Sequence, residues 1–126
     1  MKNKMIVTGA LFAFLAVLFG AFGAHALHNI LMQNSTLDTF ETAVRYHFYH
    51  SFAILIVAIF YERMQIKNLR IAFYLFSLGI IVFSGSLYIL SLTNILILGA
   101  ITPIGGLCFL IGWGLVLISF WGSKTN

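Results

Sequence analysis

Residues 38–51 read DTFETAVRYHFYHS, and residues 52–61 continue FAILIVAIFY. Between the basic clusters at 2–4 and 62–70, the charged side chains Asp38, Glu41 and Arg45 all fall in the first of these stretches. It feeds Glu41, Arg45, His47 and His50 directly into a run that is hydrophobic on all sides. A helix that is apolar all round belongs in a protein core or a membrane. The whole-chain composition decides between the two. Of the 126 residues 61% are hydrophobic and only 8% charged, with mean hydropathy +1.03. A water-soluble domain carries about 25% charged residues, so this chain could not cover a surface facing water. The lipid bilayer is its partner.

Working outward, four stretches approach the roughly 20 apolar residues needed to span a bilayer. They are Met5–Leu27, Val44–Tyr61, Ile71–Leu92 and Ile95–Trp121. The second is short unless extended back to Thr39, which gives 39–61. The fourth is long, and Pro103 marks a kink or a helix start within it. The expected fold is all-α: one integral membrane domain over residues 1–126, a four-helix bundle with spans at about 5–27, 39–61, 71–92 and 95–121. Lys2, Lys4 and Ala24-His25-Ala26 imitate a signal peptide, but the apolar run is long for one and reads as a retained helix.

The net charge of +4 does not point to nucleic acid, because the basic residues sit at helix ends and not along one face. Lys2 and Lys4 precede the first span, Arg63, Lys67 and Arg70 separate the second from the third, and Lys124 follows the fourth. Only Arg45 lies on the other side. The positive-inside rule then places both termini and the 62–70 loop in the cytoplasm of a bacterial cell. Cys108, the lone cysteine, lies within a hydrophobic run and reads as packing.

Small residues recur on helix faces. Gly9, Ala13, Ala16, Gly20 and Ala24 form a stripe on the first span, with Gly20-x-x-x-Ala24 a pair that lets backbones approach in lipid. Gly105, Cys108 and Gly112 repeat the device on the fourth. Such faces join helices within one chain or protomers in a homo-oligomer. Asp38 followed by Glu41 resembles a capping box, and Glu41 with Arg45 is an i,i+4 ion pair in the favoured order.

On a helical wheel Tyr46 and His50 share one face, whereas Glu41 and Arg45 point elsewhere. An ionisable residue within a span is a functional candidate by default. By this topology His25, near the outer end of the first span, lies at a depth similar to His50, and facing helices could gather His25, Tyr46 and His50 with Ser84, Ser86 or Tyr88. Three roles fit such a cluster. It could relay protons, ligate a metal or haem through His25 and His50, or hydrogen-bond across helices as structural glue. The last is favoured, with a lipid or small apolar ligand near the outer leaflet as a possible guest. No nucleophile elbow, phosphate loop or intramembrane carboxylate pair is present in the sequence, and no filter-like run suggests a channel. The expectation is a non-enzymatic protein, with a small proton-coupled transporter as the principal rival and the cofactor left open.

Gly20-Ala21-Phe22-Gly23-Ala24-His25, Arg45-Tyr46-His47-Phe48-Tyr49-His50, Ser84-Gly85-Ser86-Leu87-Tyr88 and Thr102-Pro103-Ile104-Gly105-Gly106 with Gly112-Trp113 together resemble the DUF423 family, also called UPF0382. The resemblance implies a small four-helix bacterial membrane protein of unassigned function. It stresses His25, Tyr46, His50, Ser84, Ser86 and Tyr88. Position 47 departs from the family pattern, where Gln is common, and position 45 can be acidic there. His28 falls outside the motifs.

Overall fold

A computed structural model of the chain describes residues 1–64 and 66–121; Lys124 lies outside them. Four helices are long and apolar enough to cross a membrane. The first, α1, runs Lys2–Ala24. A short helix, α2 (His28–Gln33), occupies the connection that the sequence leaves as a loop. The second span is α3, Leu37–Phe60. The third is α4 (Ile66–Gly79), a π-helical segment (Ile80–Ser84) and α5 (Gly85–Thr93) in one continuous rod. A 3-10 turn, Leu96–Ala100, leads into the last helix, α6, Thr102–Trp121. Pro103 therefore opens a helix instead of kinking one, which suits a residue without an N–H to donate.

The helices form two antiparallel pairs, α1 with α3 and the α4–α5 rod with α6, and α3 meets the rod between them. Small residues make the closest approaches possible. A Cβ on Gly9 would lie 2.8 Å from Leu55 Cδ2, and one on Gly20 would lie 3.3 Å from Val44 Cγ1. Gly23 is buried against Phe40 while Ala24 is exposed. The contact face of α1 at its end thus passes through Gly23, one residue before the Ala24 of the expected stripe. On α6, Gly105 presses on the backbone of Phe83, and Gly112 on the ring of Phe76.

The membrane-side core comprises Met5, Ile54, Val57, Leu69, Phe73, Phe76 and Phe109 with their neighbours. At one end Lys2 Nζ pairs with Glu62 Oε2 at 3.0 Å, holding the N-terminus beside the α3–α4 turn. At the other end the polar linker before α3 caps α5. Thr36 Oγ1 donates to Ser91 O at 2.7 Å, and Asn34 Nδ2 donates to the same oxygen at 3.1 Å. Both satisfy a carbonyl that α5's last turn leaves open.

This linker corrects the expected capping box. The N-cap of α3 is Thr36, with no side-chain cap bond, and Asp38 lies inside the first turn. The hydroxyl that could have capped α3 is committed to Ser91. Glu41 and Arg45 do not pair through their side chains either: Arg45 Nε donates to the backbone oxygen of Glu41 at 3.4 Å.

Candidate functional site

His50 is the fourteenth of the 24 residues of α3, about 20 Å below its start at 1.5 Å per residue. This is near the middle of the span, deeper than the outer-leaflet position expected from sequence. Tyr46 stands one turn above it. The π segment and α6 complete a site around them.

His50 is buried, with 5% of its surface exposed. Its Nδ1 lies 2.8 Å from Tyr46 O. Its Nε2 accepts from the indole Nε1 of Trp113 on α6 at 3.1 Å. Indole can only donate, so Nε2 carries no proton and the ring's hydrogen sits on Nδ1, donating to Tyr46 O. Both nitrogens are engaged. The imidazole stacks on Phe109, with centroids 3.4 Å apart and planes 9° apart. Tyr46 leans on Phe83 and Phe109, at centroid distances of 4.7 Å and 6.3 Å.

These rings line a groove of about 620 Å³ between α3, the π segment and α6. Pro103, Gly106, Leu107 and Leu110 of α6 line it as well. Its volume falls within the range of roughly 300–1,000 Å³ usual for small-molecule sites. The nitrogens of His50 and Trp113 are engaged with one another and with Tyr46 O, so the groove offers a mostly apolar, aromatic surface.

The remaining candidates lie elsewhere. His47 is buried, with 3% of its surface exposed. Its Nδ1 shares a hydrogen bond with Tyr88 OH at 3.0 Å. Phe12 and Phe19 of α1 enclose the ring, and its Nε2 has no hydrogen-bond partner. Tyr88 therefore joins His47 and not His50. Ser84 Oγ donates to Ala43 O at 2.8 Å, tying the π segment to α3. Ser86 Oγ lies 2.7 Å from Thr102 Oγ1 and holds α5 to the start of α6. Each is an interhelical clasp of its own, where the sequence suggested one gathered cluster.

His25 departs furthest. It is exposed at the end of α1, where the helix stops. The antiparallel register sets Gly23 beside Phe40 and Gly9 beside Ile54, which puts His25 level with about Asp38. That is about 18 Å along the axis from His50. The equal depth expected for His25 and His50 fails because the α1–α3 register sets the end of α1 beside the first turns of α3, whereas His50 lies far down that helix. Among the described residues no three His, Cys, Asp or Glu side chains gather as a metal site would require.

Sequence reasoning missed Trp113 and Phe109 as partners of His50. One signal was available: an indole N–H in the middle of an apolar helix needs an acceptor, and His50 is the acceptor at matching depth.

The chain has clear relatives. A family profile described as a protein of unknown function (DUF423) matches residues 19–106. The UPF0382 membrane protein YwdK of Bacillus subtilis is 44% identical over 115 residues, covering 90% of this chain and 93% of its own length. A UPF0382 membrane protein of Staphylococcus haemolyticus is 46% identical over 114 residues, covering 90% and 92%. One of Haemophilus influenzae is 42% identical over 125 residues and covers 99% of both chains. No solved structure matches.

Proposed function

Because this chain belongs to the DUF423 (UPF0382) family of membrane proteins, we propose that it is a non-enzymatic, multi-pass protein of the bacterial cytoplasmic membrane whose groove beside His50 takes a lipid chain or another small apolar ligand. The interhelical hydrogen bonds of His50, Ser84, Ser86 and the His47–Tyr88 pair hold the bundle that frames it. Both termini face the cytoplasm, since Lys2, Lys4, Arg63, Lys67 and Arg70 fall at one end of the bundle.

The observation that carries this reading is the engagement of both His50 nitrogens. A metal ligand must offer a free lone pair, and a proton relay must exchange a proton. His50 would have to give up the Trp113 or the Tyr46 bond to do either. What remains available to a guest is the aromatic and aliphatic wall of the groove.

The test is a high-resolution density map of the wild-type protein in lipid nanodiscs, paired with mass spectrometry of what co-purifies. Ordered density along Tyr46, Phe83 and Trp113, with a hydrophobic species in the mass spectrum, is the expected result. A groove without ordered density and a mass of polypeptide alone would contradict the reading.

A further inference from the structure

The opposite flank of α3 carries a second, differently built cleft. Glu41 and Arg45 are both exposed and stand one turn apart on the same side of the helix. They leave each other unpaired. Arg45 instead folds back along α3, its Nε on Glu41 O at 3.4 Å. Side chains on a helix lean toward its N-terminus, which here is the membrane surface. Beside them α1 runs so close to α3 at Gly20 and Gly23 that the seam is floored by glycine. A cleft of about 360 Å³ lies there, lined by Gly20, Gly23, Ala24 and Phe40 with Glu41 and Arg45 on its wall. A second cleft of about 260 Å³ shares Gly20, Val44 and Arg45 and runs on over Val17 and Phe48.

The depth suits a headgroup. The apolar run of α3 from Val44 to Phe60 spans about 25 Å, against roughly 30 Å of bilayer hydrocarbon. Arg45 thus sits at the hydrocarbon boundary, and a long basic side chain there carries its charge up to the phosphates. Glu41 lies one turn, about 6 Å, further out. From the inside outward the order is a cation, then an anion, then water.

We propose that this seam binds one phospholipid with a phosphoethanolamine headgroup. Its charges run in the complementary order, the phosphodiester next to the glycerol and the ammonium outermost. The Arg45 guanidinium donates to the phosphate oxygens, and the Glu41 carboxylate accepts from the ammonium. An acyl chain follows the second cleft over Val17 and Phe48. A phosphatidylglycerol headgroup brings no cation to Glu41, and a choline ammonium has no N–H to donate.

The test is native mass spectrometry of the full chain in detergent, titrated with an equimolar mixture of dioleoyl phosphatidylethanolamine, phosphatidylglycerol and phosphatidylcholine. The wild type should retain one phosphatidylethanolamine in preference to the other two. Arg45→Gln should weaken that adduct about tenfold, and Arg45→Lys should restore part of it. Glu41→Gln should keep a phospholipid but hold phosphatidylethanolamine and phosphatidylglycerol alike. Both side chains are exposed, so thermal melting should stay unchanged. If Arg45→Gln nevertheless fails to fold, loss of headgroup preference in Glu41→Gln carries the test. Equal retention of all three lipids by the wild type, a preference for phosphatidylglycerol, or an unaltered preference in Glu41→Gln would overturn the proposal.

Discussion

The indole of Trp113 donates to Nε2 of His50 across 3.1 Å, linking α6 to the middle of α3. That single bond determines what the imidazole can do. It fixes the neutral tautomer with the proton on Nδ1, which is in turn held by Tyr46 O at 2.8 Å. In hydrocarbon neither group could turn to water if the other were removed.

Removing either partner should therefore destabilise the bundle. Hydrogen bonds between membrane helices contribute about 0.6 kcal/mol on average and up to about 1.7 kcal/mol. Trp113→Phe should cost about 1 kcal/mol in thermal unfolding in detergent. A double-mutant cycle with His50→Phe should return a coupling of about 0.5–1.5 kcal/mol. Additive single effects would mean that the two side chains do not interact.

The crossing of α6 over the π segment depends on one hydrogen. A Cβ at Gly105 would lie 2.7 Å from Phe83 Cβ and 2.8 Å from Phe83 Cα, and backbone cannot swing aside as a flexible side chain can. Gly105→Ala should destabilise by about 1–3 kcal/mol, the usual range for overpacking. Gly114, whose added Cβ would meet nothing within 4 Å, is the matched control. Gly114→Ala should leave the melting temperature unchanged or slightly raised.

At the second polar pair, Tyr88→Phe would strip His47 of its hydrogen-bond partner inside a ring of Phe12, Phe19 and Phe40. A loss of about 1 kcal/mol is expected in the same unfolding assay. His47→Gln should be tolerated, because an amide can still bond the phenol.

The groove can be filled without touching its hydrogen bonds. A Cβ on Gly106 would stand 3.8 Å from Phe83 Cδ2, an ordinary contact, and a leucine there would extend into the space beside Tyr46 and Trp113. Gly106→Leu should keep the wild-type melting temperature and lose the co-purifying apolar species. Retention of that species would place the ligand elsewhere.

Topology is open to a direct check. A C-terminal green fluorescent fusion should fluoresce, and a C-terminal alkaline phosphatase fusion should be inactive, if both ends are cytoplasmic. Active phosphatase would invert the assignment.

How far the sequence led differs from element to element. The four spans follow from apolar run length, because lipid leaves a chain no alternative to satisfying its own backbone. The ends of the helices were less legible. The N-cap of α3 is Thr36 and not the expected Asp38, with the Thr36 hydroxyl given to Ser91 O, and α1 stops at Ala24 because His25 leaves the helical conformation and Leu27 N turns back to Phe22 O. The π segment carries no periodic signal. It appears where Gly105 abuts Phe83 and Ser84 reaches Ala43 O, contacts that exist only once α3 and α6 have docked. At the site, i,i+4 spacing sufficed to put Tyr46 with His50. Pairing His50 with Trp113, and His47 with Tyr88, needed the register between helices, which the apolar pattern does not encode.

The most direct test of the account is nitrogen-15 NMR of histidine-labelled protein in lipid bilayers at neutral pH, with His50 assigned by difference from His50→Gln. The account predicts a neutral ring protonated at Nδ1, with Nε2 coupled by a hydrogen bond to the Trp113 indole. A ring protonated at Nε2, or at both nitrogens, would contradict it and return His50 to the candidates for proton transfer.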